Sequence, residues 1–116
     1  MTYKITYTSY FNNQFKRLMK RYPKSEDEFK QIIQQLEDGI IVGTPYNNLG
    51  LPIDENVYKV MVANIDTKRS AKNGFRFIYY LIKNESEIYL LSVYSKIDLE
   101  NLRQSDIIKL IKKYCA

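Results

Sequence analysis

The sequence predicts an α+β domain: an antiparallel sheet in the order β-α-α-β-β-β-α, with an N-terminal helical hairpin packed on one face. Three observations predict it. Apolar residues recur at helical spacing on both sides of Pro23, so two amphipathic helices meet at a short joint. Runs rich in aromatic and β-branched residues occupy 57–62, 75–82 and 88–94, each of strand length. The last two runs are linked by Lys83-Asn84-Glu85-Ser86-Glu87, a polar turn so short that an antiparallel return is expected.

The first element is a strand over residues 2–8, where Tyr3, Ile5 and Tyr7 alternate with polar neighbours and predict one buried face. Ser9 can cap a helix from Tyr10 to about Tyr22, with Phe11, Phe15, Leu18, Met19 and Tyr22 on one stripe. Pro23 ends it. Ser25-Glu26-Asp27-Glu28 then reads as a capping box, with acids at the positive helix end. Phe29, Ile32, Ile33 and Leu36 form the second stripe, and Gly39 suits the position just past the helix. Residues 40–56 hold Gly43, Gly50, Pro45 and Pro52 and read as a connecting loop. Gly43 to Gly50 is not a phosphate loop, because no Lys-Ser/Thr follows the second glycine. Within 75–82, alternation sets Arg76, Ile78, Tyr80 and Ile82 on one face and Phe75, Phe77, Tyr79 and Leu81 on the other. Ser105 can cap a last helix, with Ile107, Leu110, Ile111 and Tyr114 opposite Lys109, Lys112 and Lys113. That helix is expected to cover part of the sheet face that the hairpin leaves open.

With 116 residues and 45% hydrophobic content, the chain suits one domain, residues 1–116, with one core. No apolar run approaches the ~18 residues of a membrane span. The N-terminus, Met1-Thr2-Tyr3-Lys4-Ile5, reads as neither a signal peptide nor an Arg-rich presequence. One cysteine, Cys115, forms no internal disulfide and suits a cytoplasmic location; it reads as an exposed, inert thiol. The histidine count of zero excludes Ser-His-Asp and Cys-His nucleophile systems, His-ligated metals and a histidine base. Net charge is +5 and unevenly placed. Residues 1–24 carry Lys4, Lys16, Arg17, Lys20, Arg21 and Lys24 without an acid, whereas seven acids and only Lys30 lie in 25–55. Residues 56–83 are basic again, which suggests an anionic partner. For residues 1–24 a solvated helix face explains the charge as well.

The most informative stretch runs from Asp66 to Tyr80. Lys68, Arg69, Lys72 and Arg76 put four cations within nine residues, and an aromatic strand follows at once. Phosphates need the charge, and unstacked bases can use the rings. Arg76 begins the strand, where its planar fork suits either a carboxylate partner or a phosphate oxygen. The Asn73-Gly74 turn places it near the sheet rim, with little part in the core. The strand that ends Tyr94-Ser95-Lys96 pairs back onto the strand of Arg76, so Tyr94, Lys96 and Arg76 are expected to be neighbours. Asp66 reads as a residue that orders the basic loop. Cations cluster here where a magnesium site would need oxygens.

These residues resemble the RelE/ParE toxin superfamily, nearest its HigB-like and RelE-like branches. The resemblance rests on Val57-Tyr58-Lys59-Val60, on Lys68 to Lys72, on Gly74-Phe75-Arg76-Phe77-Ile78-Tyr79-Tyr80 and on Ile88 to Lys96. It implies a RelE-like fold and a type II toxin: a ribosome-dependent endoribonuclease that cuts mRNA without metal or cofactor. It also implies a cognate antitoxin, such as a small helix-turn-helix protein. The implied catalytic set is Arg76, Lys72, Lys96 and Tyr94; the implied RNA contacts are Lys59, Lys68, Arg69 and, less directly, Tyr80. Lys72 or Lys96 would accept the 2′ proton, Arg76 would stabilise the phosphate, and a lysine or Tyr94 would protonate the leaving 5′ oxygen. Some relatives carry a tyrosine where this chain has Leu102. The rivals are a ParE-like inhibitor of DNA gyrase and a degenerate domain that only binds antitoxin.

Overall fold

The computed structural model describes residues 2–99 and 101–115. In chain order the elements are β1 (Lys4–Tyr7), α1 (Ser9–Arg21), α2 (Glu26–Glu37), β2 (Thr44–Pro45), β3 (Glu55–Val62), β4 (Phe75–Ile82), β5 (Glu87–Ser95) and α3 (Gln104–Tyr114). The helix starts differ slightly from expectation. Thr8, not Ser9, caps α1: its hydroxyl accepts the Phe11 amide at 3.2 Å while donating to the Leu90 carbonyl at 2.7 Å. Arg103 precedes α3, and its amide donates to Asp106 at 3.3 Å.

The strands form one five-stranded sheet in the order β1-β5-β4-β3-β2. It is mixed rather than wholly antiparallel, because β1 pairs parallel to β5. A short link fixes the direction of β5 relative to β4, and β3 pairs antiparallel to β4 across the longer 63–74 segment, but β1 meets β5 across more than eighty intervening positions, Lys4 opposite Glu87. No turn constrains that pair, so the short-link rule is silent there. The expected loop 40–56 also contributes a two-residue strand, β2, which pairs with Lys59 and Tyr58 of β3. Gly43 makes that approach possible: it has φ +96°, and a Cβ there would lie 2.6 Å from the Lys59 carbonyl oxygen.

The hairpin of α1 and α2 covers one sheet face. Phe11 meets Phe77 edge-on at 5.5 Å between ring centroids, and Phe29 tilts against Phe75 at 5.2 Å. Tyr79 and Leu81 share this core. On the opposite face α3 buries Ile107 completely against a cluster that includes Val57, Ile78 and Leu91. The two faces of β4 therefore divide as its alternation predicts. Tyr7, expected on a buried face, is 44% exposed because β1 is an edge strand, although its ring still packs against Phe11. Cys115 is half-buried rather than exposed, and burial beside Glu87 pushes its thiol up to about 12.

One irregularity matters for the site. Ile78 pairs with Ser92 but Tyr79 pairs with Leu90, so Leu91 is an extra residue in β5. The bulge reverses the alternation. Ile88 and Leu90 face the hairpin, yet Tyr94 faces α3. Gln14 of α1 satisfies the disturbed ladder, its Oε1 accepting from the Ser92 hydroxyl at 3.0 Å and the Val93 amide at 3.2 Å.

Candidate nucleic-acid interface

The cations gather where β3 ends, β4 begins and β5 ends. Residues 63–74 bridge β3 and β4 there in two parts. The first is a closed finger. Asn64 and Arg69 exchange backbone hydrogen bonds at 3.1 and 2.9 Å, and the Asn64 side chain accepts the Thr67 amide at 3.1 Å. Lys68 takes the left-handed conformation, φ 58°, that the tight tip requires. The second part is a 3-10 turn, Ala71–Asn73, that leads into β4.

Each part is held by a buried polar side chain. At the finger, Ser25 is fully buried at the joint between α1 and α2. Its hydroxyl donates to Asp66 at 2.6 Å and accepts the Ile65 amide at 3.0 Å. Asp66 also accepts the Lys24 amide at 3.0 Å. Partial burial works against the Asp66 charge, but the Ser25 hydroxyl and the Lys24 amide outweigh it and hold the carboxyl below its ordinary value. Asp66 orders the loop, as expected. Ser25 does not cap α2 with its side chain; its hydroxyl is engaged by the finger instead.

Arg76 holds the second part. Its Nη1 donates to the Ala71 and Phe75 carbonyls, both at 3.2 Å, and its Nη2 donates to the Lys72 carbonyl at 2.8 Å. It is only 5% exposed, so the expected open rim position is corrected. The 71–73 turn folds back over the strand start, and its carbonyl dipoles compensate the buried charge. Among the described residues no carboxylate pairs with Arg76. Gly74 permits the fold-back: a Cβ there would sit 2.1 Å from the Val62 carbonyl oxygen and 2.8 Å from the Asn64 amide.

The outer surface of this clamped loop carries Lys68, Arg69 and Lys72, all exposed. Lys96 is half-buried beside it, its amide donating to the Gly74 carbonyl at 2.9 Å. None of these four pairs with a carboxylate among the described residues. The cations at the end of α1 and in the joint after it reach the same place: Arg21 lies 3.7 Å from Asp98, and Lys24 adjoins Asp66. Acids arrive there too, since Glu26, Asp27 and Glu28 open α2 at the joint.

Tyr94 lies opposite Arg76 in the ladder, as expected. It is 6% exposed, and its hydroxyl accepts the Leu102 amide at 3.1 Å. Burial raises its pKa, and the Leu102 amide and Arg76 pull back only in part, so the phenol keeps its proton near neutral pH. Tyr46, which sequence reasoning missed, neighbours Tyr94, and its buried hydroxyl meets no partner in hydrogen-bonding geometry among the described residues. Lys59 reaches Asn101 Oδ1 at 3.1 Å and sits over the Tyr46 ring at 5.8 Å. These residues and 102–105 line an open groove of about 590 Å³ on the α3 side.

Tyr80 departs from its expected role as an RNA contact. It lies four residues along β4 from Arg76, roughly 13 Å at strand rise. Its ring stacks on Tyr89 at 6.0 Å, its hydroxyl bonds to Glu55, and it is 4% exposed. The strand places it in the second core, with nothing presented to a ligand. The catalytic set that the resemblance implies thus divides in two. Arg76 and Tyr94 are buried fasteners, whereas Lys72 and Lys96 remain accessible to a ligand. Among the described residues no three His, Cys, Asp or Glu side chains are grouped so as to hold a metal ion. The chain has no significant match among protein-family models, curated proteins or solved structures.

Proposed function

We propose that this chain is an mRNA-cutting toxin of the RelE/ParE superfamily, HigB-like in character, which acts on the ribosome and is neutralised by a cognate antitoxin. The observation that carries the proposal is the clamped loop. Lys68, Arg69 and Lys72 stand outward on backbone fixed at two points, with Lys96 beside them and a protonated Tyr94 behind. A rigid cation array meets phosphates without a large ordering loss. The hairpin-covered sheet with β1 beside β5 is compatible with the resemblance and adds support.

The reaction is transesterification. The RNA 2′-oxygen attacks its own 3′-phosphorus and gives its proton to Lys72 or Lys96. The bond from phosphorus to the 5′ oxygen breaks, and that oxygen takes a proton from a lysine, since Tyr94 is buried with its hydroxyl on the Leu102 amide. The products are a 2′,3′-cyclic phosphate and a 5′-hydroxyl. Arg76 acts at one remove, holding the Lys72 carbonyl, so charge on the phosphate falls to Lys72 and Arg69. The ribosome supplies orientation of the mRNA. An acidic antitoxin segment would cover the same cations.

The test is a map of mRNA 5′ ends after induction of the chain in cells. In-frame cuts within translated regions support the proposal. A DNA-damage response without cuts favours the gyrase reading, and absence of both favours an inert antitoxin-binding domain.

A further inference from the structure

We infer that Ser25 and Asp66 form a latch that positions the 64–69 finger for polyanion binding, an inference that rests on the RNA-binding reading above. Three features carry it. Ser25 is fully buried and Asn64 is 2% exposed, so two neutral polar groups are withdrawn from water at the contact. The Ser25 hydroxyl is satisfied by the docked finger, donating to Asp66 and accepting the Ile65 amide, and the Asn64 Oδ1, which accepts Thr67 within the finger, also lies 3.4 Å from that hydroxyl. The docked finger also joins the two basic segments of the sequence. It fixes Asp66 on the Lys24 amide, so Lys68 and Arg69 share one end of the molecule with Arg21 and Lys24.

An undocked finger keeps the same cations but must be ordered when RNA binds, and that ordering opposes association. Ser25 and Asp66 are therefore positioning residues. They touch no phosphate and act through Lys68 and Arg69.

The sign of the Asp66 effect separates this latch from simple electrostatics. Removing an acid from a basic surface strengthens polyanion binding if charge alone matters. The latch predicts the reverse. With a short fluorescein-labelled single-stranded RNA as probe, Asp66→Ala should weaken affinity about tenfold, the scale of ordering a few residues. Asp66→Asn should recover part of the loss, because its Oδ1 can still accept from Ser25 or Lys24. Ser25→Ala leaves the charge unchanged and should weaken binding to a similar degree. In all three the salt dependence should keep the wild-type slope, because the same phosphates are met once the finger is ordered. Lys68→Ala with Arg69→Ala should instead flatten the slope by about 1.4, two contacts at 0.7 each. Amide exchange of Ile65 and Thr67 should quicken in Ser25→Ala while circular dichroism stays native. If wild type binds the RNA and folded Ser25→Ala or Asp66→Ala binds as tightly or more tightly, the latch is overturned. If wild type itself fails to bind, the RNA reading beneath it fails instead.

Discussion

Arg76→Ala should destabilise the fold rather than merely silence a site. The side chain removed is 5% exposed and donates three hydrogen bonds to backbone carbonyls. Bonds from a charged donor contribute roughly 1.5–3 kcal/mol each when broken singly, although carbonyls that regain water recover much of that. The carbonyl of Lys72 can regain it, since Lys72 is exposed. Removing the guanidinium also ends its own desolvation penalty. The net loss is therefore about 2–4 kcal/mol, not the sum of three bonds. At about 4 °C per kcal/mol for a domain of this size, the midpoint should fall by roughly 8–16 °C. Arg76→Lys should recover less than half, because one ammonium cannot reach three carbonyls set in a fork. Thermal unfolding followed by circular dichroism gives the midpoint, and amide exchange in 71–75 locates the change. A variant that melts within about 2 °C of wild type, with 71–75 still protected, would refute the clamp and return Arg76 to the role of an open phosphate fork.

Three further outcomes follow from single contacts. Gly74→Ala should cost about 3 kcal/mol, because the new methyl meets two backbone groups, one at 2.1 Å, and the mouth between β3 and β4 must open; a urea midpoint checks it. Tyr46→Phe should leave stability unchanged or raise it by up to about 1 kcal/mol, since the lost hydroxyl is buried without a partner among the described residues; a midpoint well below wild type would expose a bond to Tyr94. The Asp66 carboxyl lies below its ordinary 3.8 when folded, so its contribution is full above that value and disappears as pH falls through the folded pKa. The stability gap between wild type and Asp66→Asn should accordingly hold from neutral pH to about 5 and close below 4.

Much of the fold was legible because local patterns and tertiary packing agree. The 75–82 strand was read to its ends: its alternation serves two cores, and polar turns bound it on both sides. The neighbourhood of Arg76 and Tyr94 followed from the turn near residue 85. Other features lacked a local signal. The parallel pairing of β1 depends on a contact between distant segments. The bulge at Leu91 reverses parity without a glycine or proline to mark it. Ser25 heads an acidic first turn and so looks like a cap, while its actual partner, Asp66, lies 41 residues away. Arg76 shows most clearly why the site was harder to read than the fold. Strand position placed it at a rim, but whether a rim residue is open depends on the path of the next loop, and that loop folds over it.

The central claim is that the outward cations of the clamped loop act on RNA. Its most direct measurement is cleavage of a defined mRNA by purified protein on programmed ribosomes, with the chemistry of the new 3′ ends determined. The account predicts cuts with a 2′,3′-cyclic phosphate for wild type, and a fall of roughly 100-fold or more for Lys72→Ala if it supplies proton transfer or charge at the phosphate. Intact mRNA with wild type, or undiminished cutting by folded Lys72→Ala together with Lys96→Ala, would contradict it.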